Sequence, residues 1–72
     1  MKERIINEYF KFKLARKGIK LLGHRGTLYY GVDKDDWWYF YMAYGLTLIP
    51  VKECEDKLDA LFAYNVLLNK YN

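Results

Sequence analysis

The sequence predicts a single small α+β domain in the order α-β-β-(β)-α, with both helices packed against an antiparallel, aromatic-rich sheet. Three observations carry that reading. Residues 2–17 repeat their apolar positions at a helical period, residues 19–49 form a glycine-punctuated run rich in Tyr, Trp, Leu and Val, and a second helical stripe follows Pro50. The 72 residues suffice for one domain, 1–72, and not for two.

In the first segment Ile5, Ile6, Tyr9, Phe10, Phe12 and Leu14 share one broad arc when residues are stepped at a helical angle. Arg4, Asn7, Glu8, Lys11 and Ala15 fill the other. The arc predicts an amphipathic helix from about Lys2 to Lys17, with Tyr9, Phe10 and Phe12 in the core. Gly18 is its expected left-handed cap, and Lys13, Arg16 and Lys17 sit where a helix's negative end favours cations.

The next segment is punctuated by Gly23, Gly26, Gly31 and Gly45, and Asp33-Lys34-Asp35-Asp36 separates two aromatic runs. A hairpin with those four residues as its loop places Val32 opposite Trp37, Tyr30 opposite Tyr39 and Leu28 opposite Tyr41. Its other side carries Arg25, Thr27, Tyr29 and Gly31 against Tyr44, Met42, Phe40 and Trp38, with Gly31 making room for the Trp38 indole. A slip of one residue would exchange the two faces.

Pro50, favoured at a first helical position, opens the second helix in this reading, with Glu53, Glu55, Asp56 and Asp59 as early-turn acid. Val51, Cys54, Leu58, Leu61, Phe62 and Leu68 make its core stripe, interrupted by Asn65. The opposite side, with Ala60, Ala63, Tyr64, Val66, Leu67 and Tyr71, is apolar as well. A helix apolar all round must be covered on more than one side.

Composition excludes much chemistry. Serine and glutamine are absent, and one His and one Cys remain as the conventional imidazole and nucleophile. The string Gly23-His24-Arg25-Gly26 resembles the opening motif of phosphodiesterase barrels, but those need several acidic metal ligands and a much longer chain. Cys54 could meet His24 as a thiolate–imidazole pair, yet it occupies a position that suits a small buried hydrophobe. Asp33, Asp35 and Asp36 lack the further ligands, the glycine and the closing Glu of a calcium loop. No catalytic residue, metal or cofactor is therefore expected, and the protein is read as a non-enzyme. The longest apolar run is too short to span a membrane, and the lone thiol and charged N-terminus lead to the expectation of a cytoplasmic protein.

Eight Tyr, four Phe and two Trp exceed what one sheet face in so small a domain can hide. The expected function is therefore protein–protein contact, as a regulator, inhibitor or assembly factor of the kind common among accessory proteins of phages and other mobile elements. Arg25, Tyr29, Trp38, Phe40 and Tyr44 form the expected contact surface for another protein. Tyr64, Leu67 and Tyr71 form the expected self-association surface of a homodimer. The alternative is nucleic-acid binding, since residues 1–25 carry eight Lys/Arg against two Glu. Lys11, Lys13, Arg16, Lys17, Lys20 and Arg25 would then meet phosphates while aromatic rings stack on bases.

Overall fold

The computed structural model describes residues 2–71, and the side chains of residues 4–70. Helix α1 (Lys2–Ala15) is followed by strands β1 (Ile19–Arg25), β2 (Leu28–Asp33), β3 (Trp38–Tyr44) and β4 (Thr47–Cys54), and by helix α2 (Lys57–Tyr71). The strands form one antiparallel meander in the order β1-β2-β3-β4. The fold is thus the expected small α+β domain, with four strands where the sequence marked two and a third in parentheses.

Two-residue loops join β1 to β2 and β3 to β4. Each opens on a glycine with positive φ, Gly26 at 59° and Gly45 at 61°, the backbone that a tight hairpin of this kind needs at its first loop residue. The central hairpin is built differently. Asp33 stays in the ladder and donates its N–H to the Trp37 carbonyl at 3.1 Å, while Asp36 N–H bonds back to the Asp33 carbonyl at 3.1 Å. Asp36 then turns left-handed, with φ 64°. This is a three-residue loop, a type I turn closed by a left-handed residue. Val32 consequently pairs with Trp38, Tyr30 with Phe40 and Leu28 with Met42. The four-residue loop read from the sequence is corrected by one position, and the faces change accordingly.

The register divides the aromatics between two cores. Tyr29, Tyr41 and Ile19 point to one face and, with Leu21, Tyr39, Ala43 and Leu48, meet Phe10 and Leu14 of α1. Leu28, Phe40 and Cys54 point to the other and, with Tyr30, Trp38 and Val51, meet Ala60, Ala63 and Leu67 of α2. Alternate strand residues face opposite ways, so the two helices cover opposite faces of the sheet. The aromatic surplus that one face could not hold is taken up by two.

Each helix seats a narrower stripe than its composition offers. On α1 it is Ile6, Phe10 and Leu14, spaced by four, leaving Ile5, Tyr9 and Phe12 outside. On α2 the small Ala60 and Ala63 turn inward, because the aromatic rings rising from the sheet fill the space and a helix can approach them only along its alanines. Tyr64 lies among those rings, edge-on to Tyr30 at 5.4 Å and tilted against Phe40 at 6.5 Å. The stripe expected inside α2 is thereby turned out: Leu58, Leu61 and Phe62 are exposed.

Pro50 does not start a helix. It lies in the edge strand β4, paired with Tyr41 beside a β-bulge, where a missing N–H is tolerated. Val51 and Cys54 accordingly belong to the strand. Helix α2 is capped by Asp56, whose carboxylate accepts the Asp59 N–H at 2.9 Å. Gly18 is left-handed, as expected of the residue that ends α1.

The central turn is tied by Asp33. Its carboxylate accepts the Asp35 N–H at 2.9 Å, the Trp37 N–H at 3.0 Å and the Tyr39 hydroxyl at 2.8 Å. Burial pushes the carboxyl's pKa up, but these three donors and the Lys34 charge outweigh it and hold the group below the ordinary aspartate value. The Tyr39 hydroxyl, donating to that carboxylate, is pushed up to about 12. A depressed carboxylate stabilises the fold above its unfolded pKa, and the contribution disappears as pH falls through the folded value. Acid titration of stability should therefore show a limb below the ordinary aspartate range that Asp33→Asn flattens, the variant being less stable than the parent at neutral pH. Asp36 sits where glycine is the usual residue of such a loop. Asp36→Gly should relieve its left-handed strain and gain about 0.5 kcal/mol after glycine's entropic cost, a small rise in melting temperature.

Candidate functional site

The polar side chains at the α1 side of the sheet form one hydrogen-bonded cluster. Asn7 accepts the Tyr29 hydroxyl at 2.8 Å through Oδ1 and donates through Nδ2 to His24 Nε2 at 3.2 Å. His24 Nδ1 lies 3.2 Å from the Gly26 carbonyl, so the tautomer protonated at Nδ1 satisfies both bonds. The imidazole also stacks on Tyr29 with ring centres 4.6 Å apart. The cluster ties α1 to the first hairpin. Cys54 is buried on the opposite, α2 side, and burial pushes its thiol pKa up. The two groups weighed as a catalytic pair are therefore on different faces of the sheet.

The expected contact surface is not one surface. Tyr29 is 4% exposed under α1, and Phe40 is 2% exposed under α2. Trp38 is half-buried against the α2 core. The pairing puts Arg25, Trp38, Phe40 and Tyr44 on the α2 side and Tyr29 alone on the other. Of the five, Arg25 and Tyr44 are exposed, at the end of the sheet beyond α2. In the expected self-association set, Tyr64 and Leu67 are engaged in the α2 core, and the Tyr71 side chain lies outside the described ones.

The basic residues are placed differently. Lys11, Arg16, Lys17, Lys20 and Arg25 are exposed, and Lys13 is half-buried with its Nζ 5.4 Å above the Tyr9 ring. Lys17 Nζ lies 5.9 Å from the Tyr41 ring centre. Of the sheet's rings expected to stack on bases, Trp37 and Tyr44 are exposed and the others pack under the helices.

No family model, curated protein or solved structure matches the chain. Its surface chemistry must therefore be read from its own residues.

Among the described residues, exposed apolar side chains occur on the sheet and its turns at Leu22, Trp37, Tyr44, Leu46 and Ile49, and as two stripes on the helices. On α1, Ile5, Tyr9 and Phe12 follow a spacing of four and three and form an outward ridge beside the basic residues. On α2, Leu58, Leu61, Phe62 and Val66 form the outward face. Phe62 and Val66 continue into an open groove between α2 and β4 of about 390 Å³, floored by Ala63 and Leu67 and edged by Lys52, Glu53, Glu55 and Asp59. Apart from Val66, which sequence reasoning placed on the second apolar side of α2, these outward helix residues were expected in the core. A signal for them existed in the alanines: a helix with Ala60 and Ala63 on one side and Leu58 and Phe62 on the other can seat its small side against a bulky sheet. Among the described residues no helix is long and apolar enough to cross a membrane.

Proposed function

We propose that the chain is a non-catalytic protein-binding module that works through the outward faces of its two helices. The observation that supports this reading is the apolar surplus that both helices turn outward. A 72-residue domain leaves Ile5, Tyr9 and Phe12 exposed beside the buried Ile6-Phe10-Leu14 stripe of α1, and Leu58, Leu61, Phe62 and Val66 exposed on α2, whose alanines face the sheet. Scattered apolar residues on a surface need no explanation, but two contiguous helical stripes do. Large rigid side chains at such places are what contact hot spots are made of.

The partner surface that suits α2 is apolar with a basic rim, because Glu55, Asp56 and Asp59 border the face against Lys52 and Lys57. Photo-crosslinking in the source cell tests the reading. A crosslinker at position 62 should capture protein, one at Lys34 in the exposed central turn should not, and Leu58→Asp should abolish the capture without changing the circular dichroism. Capture that is indifferent to Leu58→Asp, or that vanishes on nuclease treatment, would replace the reading with another surface or with nucleic acid.

A further inference from the structure

The two outward helix faces complement each other, and we infer that the occupant of the α2 face is the α1 ridge of a second copy of this chain. The inference rests on the binding-module reading and names its partner. Its first support is charge. Residues 2–25 carry eight Lys/Arg and two Glu, a net +6, whereas residues 55–59 carry Glu55, Asp56 and Asp59 against Lys57, a net −2. The positive residues gather at the C-terminal end of α1, where Arg16 continues the line of the ridge and Lys13 stands over Tyr9. The negative residues gather at the N-terminal end of α2.

Length and shape agree with that polarity. Ile5 to Phe12 spans seven residues, roughly 10 Å of helix, and Leu58 to Val66 spans eight, roughly 12 Å. Laid antiparallel, Phe12 falls beside Leu58 and Phe62, Ile5 beside Val66, and Arg16 beside Glu55 and Asp59. Phe12, 63% exposed, is then the knob that enters the groove between α2 and β4. An α2 face paired with its own copy in parallel would set acidic ends together, and in antiparallel would stack Phe62 on Phe62 and bring each acidic end to Lys70 alone. The α1 ridge avoids both.

Because α1 and α2 cover opposite faces of the sheet, the contact joins unlike surfaces and leaves one of each free. Such heterologous contacts build open stacks or closed rings rather than two-fold dimers. The steering charges should make association faster at low salt.

Sedimentation velocity across a concentration series tests the arrangement with two variants. The parent should grow beyond a dimer. Phe12→Asp loses the ridge and Phe62→Asp loses the groove, so each alone should stay monomeric, with affinity weakened about 100-fold. Mixed in equal amounts they retain one intact ridge and one intact groove, and should give a 1:1 pair that grows no further. Ile5→Asp and Val66→Asp repeat the test at the other end of the contact if either phenylalanine variant fails to fold. A parent that is monomeric at every concentration overturns the inference, as does Phe12→Asp dimerising alone, which would mean α2 pairs with α2. If the parent is monomeric but Leu58→Asp still abolishes crosslinking at position 62, self-assembly falls and the module reading stands. If both results are negative, both fall.

Discussion

Phe10→Ala should remove most of the domain's stability, whereas Phe12→Ala and Phe62→Ala should leave it nearly unchanged. The three residues look alike in the sequence, each lying on the apolar arc of a helix. In the structure Phe10 is 0% exposed, edge-on to the Tyr29 ring at 5.0 Å and packed with Leu14, Ile19 and Tyr41. Phe12 and Phe62 are 63% and 74% exposed. Removing a fully buried phenylalanine costs about 3–5 kcal/mol in lost transfer and cavity terms. That is most of the roughly 5 kcal/mol a domain of this size can be expected to have. At an exposed helical site the lost contacts are few, and alanine's better helix propensity offsets them, so the change should stay within about 0.5 kcal/mol. Urea titrations at low protein concentration, where copies do not meet, read this directly. Equal losses for all three would mean that α1 is rotated from the seating described.

That comparison also marks how far the sequence could be read. The α-β-α order was legible because helical and strand periods differ and because Gly18, Gly26, Gly31 and Gly45 punctuate the change between them. Helix rotation was not. In α1 the apolar arc is wide enough for either Ile6-Phe10-Leu14 or Ile5-Tyr9-Phe12 to face inward, and only the partner surface decides between them. In α2 bulk favoured Leu58 and Phe62 as core, but the sheet brings Phe40, Tyr30 and Trp38 to that interface and leaves room for alanines. The hairpin register depended on one residue, Asp36, whose left-handed backbone no propensity assigns to an aspartate with confidence over its neighbours. Pro50 was read as a helix start by its own preference, although Asp56, the actual cap, stands three residues before Asp59 in a recognisable pattern. The candidate site was missed for the same reason that the core was misassigned: the α1 arc holds both inward and outward residues, and on α2 the bulky Leu58, Leu61 and Phe62 were placed inside.

Gly31→Ala is the second large effect, and it arises from the sheet rather than from a helix. Gly31 is buried in β2, between Leu21 of β1 and Tyr39 of β3. Sequence reasoning gave it the task of making room for the Trp38 indole, but the register pairs Trp38 with Val32 and brings a different neighbour close. A methyl group on Gly31 would press into the Lys20 carbonyl oxygen, with Ile19 Cγ2 at 3.0 Å and the Lys20 carbonyl carbon at 3.1 Å. The obstacle is backbone, so no rotamer change relieves it. The φ angle of Gly31 is not positive, unlike that of Gly45, and the cost is therefore a clash and not a conformational one. Overpacking of this kind costs about 3 kcal/mol, offset by up to about 1 kcal/mol from the stiffer unfolded chain. The net of about 2 kcal/mol lowers the melting temperature by roughly 8–16 °C in a domain of this length. The strain should relax by lifting the edge strand β1, and α1 packs on β1. Hydrogen exchange should accordingly lose protection first at Ile19–Arg25 and in α1, while the β3–β4 ladder and α2 stay protected. At Gly45 an added Cβ meets nothing within 4 Å, and Gly45→Ala should cost only the strain of a positive φ, about 1 kcal/mol, with its exchange change confined to the β3–β4 turn. Should Gly31→Ala melt with the parent and keep its β1 amides protected, β1 does not lie as close to β2 as the register requires. Two further assignments would fall with that register: the stacking of His24 on Tyr29, and the docking of α1 over β1 that turns the Ile5-Tyr9-Phe12 ridge outward.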